Sequence, residues 1–287
     1  MKFHDILEEI IREVLNIRSR PLTPDDMLKL TELKANHKFI ENISGLEHAI
    51  NLKELNLARN RISDLQPISN LTKLIKLDLH FCDITVISPL KNLTALKWLD
   101  LHDNSIFDIK GLSKLINLKT LYLHENIITD LYPLTNLKKL EKLTLGDYTD
   151  NPIGTLTAEQ YGNPHWEEIE DIDPLAELKN LKYLSITDHG IKDIEPLAEL
   201  KNLEELYLGG YRNRKTIRDI TPLAGLFKLN VLNIENNKIQ DLQPLIDNQS
   251  LGIGTSIYLK GNPLSEEALN SQIPNLKKRG VKISFSH

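Results

Sequence analysis

Leucine stands at positions 33, 55, 77, 99, 121 and 143, every interval being 22 residues; the phase resumes at Leu184, Leu206 and Leu232 and ends at Ile257. Few folds can accept such a sequence. Equivalent residues at a fixed period demand equivalent surroundings, which a stack of like turns provides and a single closed core does not. The units read LNLARNRISDLQPISNLTKLIK from Leu55, LDLHDNSIFDIKGLSKLINLKT from Leu99 and LYLHENIITDLYPLTNLKKLEK from Leu121. Taken with the residues before it, each unit follows L-x-x-L-x-L-x-x-N-x-I-x-D-[IL]-x-P-L-x-x-L, and about ten such turns are expected.

The chemistry of each position is readable. L-x-L alternation makes a short strand with its leucines on the core side, and strands of successive turns pair in parallel about 4.8 Å apart. Asn60, Asn104, Asn126, Asn237 and Asn262 fall where the chain leaves the strand. A buried amide there both donates to and accepts from neighbouring loop backbone. Cys82 holds the same phase and reads as a small buried residue of that ladder rather than a reactive thiol. Seven of the 13 prolines (67, 89, 133, 174, 196, 222 and 244) share another phase, suited to a turn on the back of each unit. At the N-terminus, Phe3, Ile6, Leu7, Ile10, Ile11, Val14 and Leu15 make one helical stripe that can cover the first turn. A short helix and a last strand, Val281-Ile283-Phe285, close the other end. The expected organisation is a helical cap over 1–32, repeats over 33–256, and the last repeat with its cap over 257–287.

The repeat is the leucine-rich-repeat signature. The P-L-x-x-L-x-N-L spacing, the x-I-x-D phase (Ile62-Asp64, Ile106-Asp108, Ile128-Asp130) and the ending GNPLSEEALNSQIPNL resemble the internalin-like, phosphatase-regulator-like class. LTPDDMLKLTELKANHKFIENISGLEHAINLKELNL resembles the capped first repeat of bacterial members. The resemblance implies an α/β fold: a right-handed leucine-rich-repeat solenoid, a horseshoe with a parallel sheet on its concave face. It also implies protein binding through that face.

Composition narrows the function. Forty acidic and 35 basic residues leave a net charge of −5, against the clustered positive surface that nucleic acid demands. No apolar run approaches the roughly 20 residues that span a bilayer. With one cysteine there is no internal disulfide, and the charged N-terminal segment reads as a helix, not a secretory signal. The chain as given is expected in the cytoplasm, or at the surface or secreted if an export signal has been removed. Nucleophile elbows, P-loops, paired helical histidines and nucleotide-binding glycine turns are all missing, so neither an enzyme nor a bound cofactor is expected.

The expected working surface is read from the outward phases. It comprises Asp78, His80, Phe81, Trp98, Asp100, His102, Asp103, Tyr122, His124, Glu125, Tyr183, Asp188 and Tyr207, an aromatic centre set among acids. Lysines crowd the other side, as in NLKKLEKL. A monomer binding a protein of neutral-to-basic surface is the expectation. Two units run long: 41 residues from Leu143 to Leu184, and 26 from Leu206 to Leu232. Their insertions, near 148–168 (with Tyr148, Tyr161 and Trp166) and 211–216, follow the strand and are expected beside the binding surface, with a smaller one near 252–256. The alternative is a metal or small-ligand site at the rungs His80, His102 and His124. A passive spacer is the third reading.

Overall fold

The computed structural model describes residues 5–146, 168–187, 189–210 and 216–285. It divides into two compact units, residues 1–140 and 141–287, each a stack of repeats with its own parallel strands.

In the first unit the strands are β1 (Glu32–Lys34), β2 (Glu54–Asn56), β3 (Lys76–Asp78), β4 (Trp98–Asp100) and β5 (Thr120–Tyr122). They pair parallel in chain order, with Leu33 beside Leu55, Leu55 beside Leu77, Leu77 beside Leu99 and Leu99 beside Leu121. All five leucines are buried. At roughly 1.5–3 kcal/mol for each buried leucine side chain, this column is a principal source of the unit's stability.

Each turn closes by the same local chemistry. Asn60 donates through Nδ2 to the carbonyls of Ala35 and Leu57, while its Oδ1 accepts from the amides of Lys38 and Ile40. Asn104 and Asn126 repeat the pattern two and three turns on. The aspartates of the x-I-x-D phase are turn-formers: Asp64, Asp108 and Asp130 each accept from the amide two residues on, at 2.8–2.9 Å. Short 3₁₀ turns follow, with Pro67, Pro89 and Pro133 in their first turn, where a missing N–H costs nothing. Where the proline phase reaches Gly111, a side chain would meet the Ile87 carbonyl at 2.6 Å.

Helix α1 (Asp5–Leu15) and the single turn α2 (Pro24–Met27) precede β1. Leu7 and Ile11 of α1 are buried but Val14 is exposed, so the apolar stripe is narrower than its spacing predicts, and Phe3 lies outside the described residues. α2 opens with a capping box between Thr23 and Asp26. Asp26 is buried and pairs with Arg20 at 2.6 Å and Lys29 at 3.1 Å. Its hydrogen bonds from Arg20, then from Thr23, hold its carboxyl far below the usual carboxylate range.

The second unit contains β6 (Lys142–Thr144), β7 (Tyr183–Ser185), β8 (Glu205–Tyr207), β9 (Val231–Asn233), β10 (Ser256–Tyr258) and β11 (Lys282–Ser284). Leu143, Leu184, Leu206, Leu232, Ile257 and Ile283 run in register through parallel pairs. Short helices α3 (Gln243–Asp247) and α4 (Ile273–Lys278) lie near the end. The expected insertions at 148–168 and 211–216 fall, but for Glu168 and Thr216, outside the described residues. That at 252–256 is a turn on which Gly254 takes φ +94°, leading into β10. Among the described residues no helix is long and apolar enough to cross a membrane.

Candidate binding face

Outward side chains of the three-residue strands form a packed layer in the first unit. Trp98 on β4 meets Tyr122 on β5 edge-to-face, ring centroids 5.7 Å apart. The pair is diagonal, since Trp98 registers with Thr120 and Asp100 with Tyr122. Lys76 on β3 sets its ammonium 4.7 Å from the Trp98 ring centre. Both rings are half-buried, not fully exposed as their phase suggested, because neighbouring strands hold large side chains against them.

Beside them the imidazoles stack. His80 and His102 lie 4.5 Å apart between ring centroids, and His102 and His124 4.3 Å. The acids behind them are not the exposed rim that the sequence suggested. Asp78, Asp100 and His124 are only 8 %, 7 % and 4 % exposed. The carboxylates instead turn onto the histidine two residues on: Asp78 Oδ1 lies 2.7 Å from His80 Nδ1, and Asp100 Oδ1 2.6 Å from His102 Nδ1. Asn56 donates to the other oxygen of Asp78.

The next outward phase has a property that composition hides. His37, Arg59, Phe81, Asp103 and Glu125 all take left-handed backbone, φ 52–57°. Such a conformation costs a non-glycine residue about 1–2 kcal/mol. It is compensated by continued pairing: the amides of Arg59, Phe81 and Asp103 donate to the carbonyls of His80, His102 and His124 in the next turn. Phe81 is half exposed, with the Arg59 guanidinium 5.9 Å from its ring centre. Asp103 and Glu125 are partly exposed beside it.

The second unit presents a separate aromatic pair. Tyr183 and Tyr207 lie 5.3 Å apart, diagonal on β7 and β8, with Lys142 Nζ 4.0 Å from the Tyr183 ring. The Tyr207 hydroxyl donates to Glu205. Nearby, Thr144 on β6 and Ser185 on β7 are buried, as is Thr187 just beyond β7. Burial raises the Glu235 carboxyl above its ordinary pKa, against a smaller opposing effect of Lys260. Asp188, expected on this face, lies outside the described residues.

At Cys82 and His189, among the described residues, the ladder departs from asparagine. Cys82 is buried, its Sγ pointing at the Leu57 carbonyl, and burial pushes the thiol up to about 11. At neutral pH it is therefore a protonated, inert packing group. His189, which sequence reasoning passed over, fills the same place in the second unit. Its Nδ1 accepts from the Ile169 amide and its Nε2 lies 3.2 Å from the Leu145 carbonyl. Counting five residues on from Leu184, as Asn60 lies five on from Leu55, finds it.

The family described as "Leucine Rich repeats (2 copies)" matches residues 50–92, 94–136, 116–159 and 179–225. No curated protein sequence matches the chain. Among solved structures the chain is similar to an internalin (inlF) of Listeria monocytogenes, at 28% identity and a TM-score of 0.66, over 99% of this chain and 90% of that one. It is also similar to an internalin C2 (inlC2) of the same bacterium, at 28% identity and a TM-score of 0.59, over 89% of this chain and 92% of that one.

Proposed function

Because this chain belongs to the leucine-rich-repeat family, we propose that it is a non-catalytic, monomeric protein-interaction module whose strand-bearing face docks a partner protein. The observation that carries this reading is the Trp98–Tyr122 contact. Two large rings are held half-exposed on rigid strands, a cation stacked over one of them, where neither completes the core. Binding hot spots are built this way: aromatic anchors that exclude water, with little conformational entropy left to lose. Around the anchors stand Phe81, His80, His102, Asp103 and Glu125. Tyr183 and Tyr207 supply a second aromatic pair. Asp78, Asp100 and His124 act from beneath, by fixing the layer.

The partner surface is apolar at its centre and neutral to basic around it, in keeping with the chain's net charge of −5. The test is an alanine scan against a captured partner. Trp98→Ala or Tyr122→Ala should weaken binding by about 1–4 kcal/mol, mainly through faster dissociation. Lys138→Ala and Lys139→Ala, exposed in the loop before Leu140, should leave it unchanged. The opposite pattern would show that the strand-bearing face is not the interface.

A further inference from the structure

We propose that His80 and His102 form a binding site for one divalent transition-metal ion, zinc above all, independent of any partner protein. The first reason is the state of the two rings. A carboxylate only accepts hydrogen bonds, so Asp78 at 2.7 Å and Asp100 at 2.6 Å require a proton on Nδ1 of His80 and of His102. Arg59 only donates, and its Nε lies 3.4 Å from His80 Nε2, so that nitrogen presents its lone pair. An Nδ1–H held by a carboxylate leaves Nε2 as the ligand atom, the arrangement that orients histidine ligands of zinc and raises their basicity; at His80 the ion has to displace Arg59 from that nitrogen.

The second reason is placement. His80, Asp100 and His102 offer donor atoms that all lie within 4.8 Å of one another. The rings are 7° from parallel with centroids 4.5 Å apart. Zinc–nitrogen bonds of about 2.1 Å at a tetrahedral angle bring two nitrogens to about 3.4 Å. Because the stacked rings aim their lone pairs nearly parallel, each imidazole has to turn substantially toward the other, a movement of side-chain torsions that leaves the strands in place. Both side chains reach solvent, so water completes the coordination shell. His124, stacked on the far side of His102, is buried and serves as a wall that limits how far His102 can turn. Imidazole donors favour zinc, nickel and copper and discriminate against magnesium and calcium.

The experiment is calorimetric titration of the purified, metal-free chain with zinc chloride alone, with magnesium chloride as comparison. The expected result is zinc binding that magnesium does not compete away and that falls tenfold or more in His102→Ala and in His80→Gln. His48→Ala, altering a partly exposed histidine on another turn, should change nothing. Asp100→Asn should weaken binding about 10-fold through loss of the backing carboxylate. Arg59→Ala, which removes the competing cation, should strengthen it, a response that a merely structural defect does not produce. A thermal melt of each variant identifies any that fail to fold, and the two histidine changes are read separately. No zinc binding by the parent chain, binding undiminished in both folded histidine variants, or equal binding of magnesium would overturn the proposal.

Discussion

The Sγ of Cys82 points at the carbonyl oxygen of Leu57, 25 residues earlier and 3.5 Å away, in the place where Asn60 reaches Ala35 at 2.9 Å and Asn104 reaches Leu79 at 3.0 Å. A thiol fills the position but is a weak donor and a weak acceptor, and the Asn60 and Ile62 amides that an asparagine oxygen would receive meet its sulfur instead. Cys82→Asn is therefore expected to stabilise the chain by about 1 kcal/mol, read as a rise in denaturation midpoint. Asn60→Ala, which leaves buried carbonyls and amides unpartnered, should destabilise it by about 1–3 kcal/mol. A Cys82→Asn variant less stable than the parent would mean that the site is too small for the ladder amide.

Leu121 stands in the fully buried leucine column and registers with Leu99. A charge there has no partner and no route to water. Leu121→Asp should cost more than about 4 kcal/mol and break the cooperative melt into separate transitions, because each turn is stabilised by its neighbours. A single transition at the parent temperature, followed by circular dichroism, would contradict the assigned core phase.

Acid should loosen the N-terminal cap first. Asp26 has a folded-state pKa far below its unfolded value near 3.9, so the unfolded chain binds its proton more readily. Its contribution is complete above about pH 5 and declines as pH falls below about 4 toward the folded pKa. Asp26→Asn should flatten that part of the stability–pH curve while leaving Arg20 without its buried partner at neutral pH. An unchanged acid limb in this variant would show that the ion pair does not report on folding.

The periodic leucines made the strand register legible in advance, because a buried column admits no slippage: Leu33, Leu55, Leu77, Leu99 and Leu121 align as their spacing requires. The asparagine ladder was legible for the same reason. His189 was not, because the long interval before Leu184 interrupts the count and histidine resembles asparagine only in hydrogen bonding. The candidate face was legible as a set of positions but not as an environment. Period-2 alternation says that Asp78 and Asp100 point away from the leucine core. It does not say that His80 and His102 fold down over them and bury them. Nor does the identity of Arg59, Phe81 or Asp103 announce left-handed backbone, which accompanies the inter-turn hydrogen bonds of their amides.

Asp100 is a positioning group on this account, and its replacement should not imitate loss of a surface charge. Asp100→Asn keeps size and shape but removes the charge facing His102 Nδ1. Partner association measured at low and high salt should show little change in salt dependence relative to the parent, since a buried charge steers poorly. Asp103→Asn, on the more exposed phase, should slow association at low salt. A larger salt effect for Asp100→Asn than for Asp103→Asn would restore the acidic-rim reading.

Site-specific photocrosslinking reads out which face of the chain a bound partner covers. A photoreactive phenylalanine analogue placed at Tyr122, on the strand-bearing face, is compared with the same group at Lys138, in the exposed loop before Leu140. Both variants are illuminated with a captured partner under identical conditions. The expected result is a covalent partner adduct from position 122 that is lost on adding Trp98→Ala, and none from position 138. An adduct from position 138 with none from 122 would contradict it.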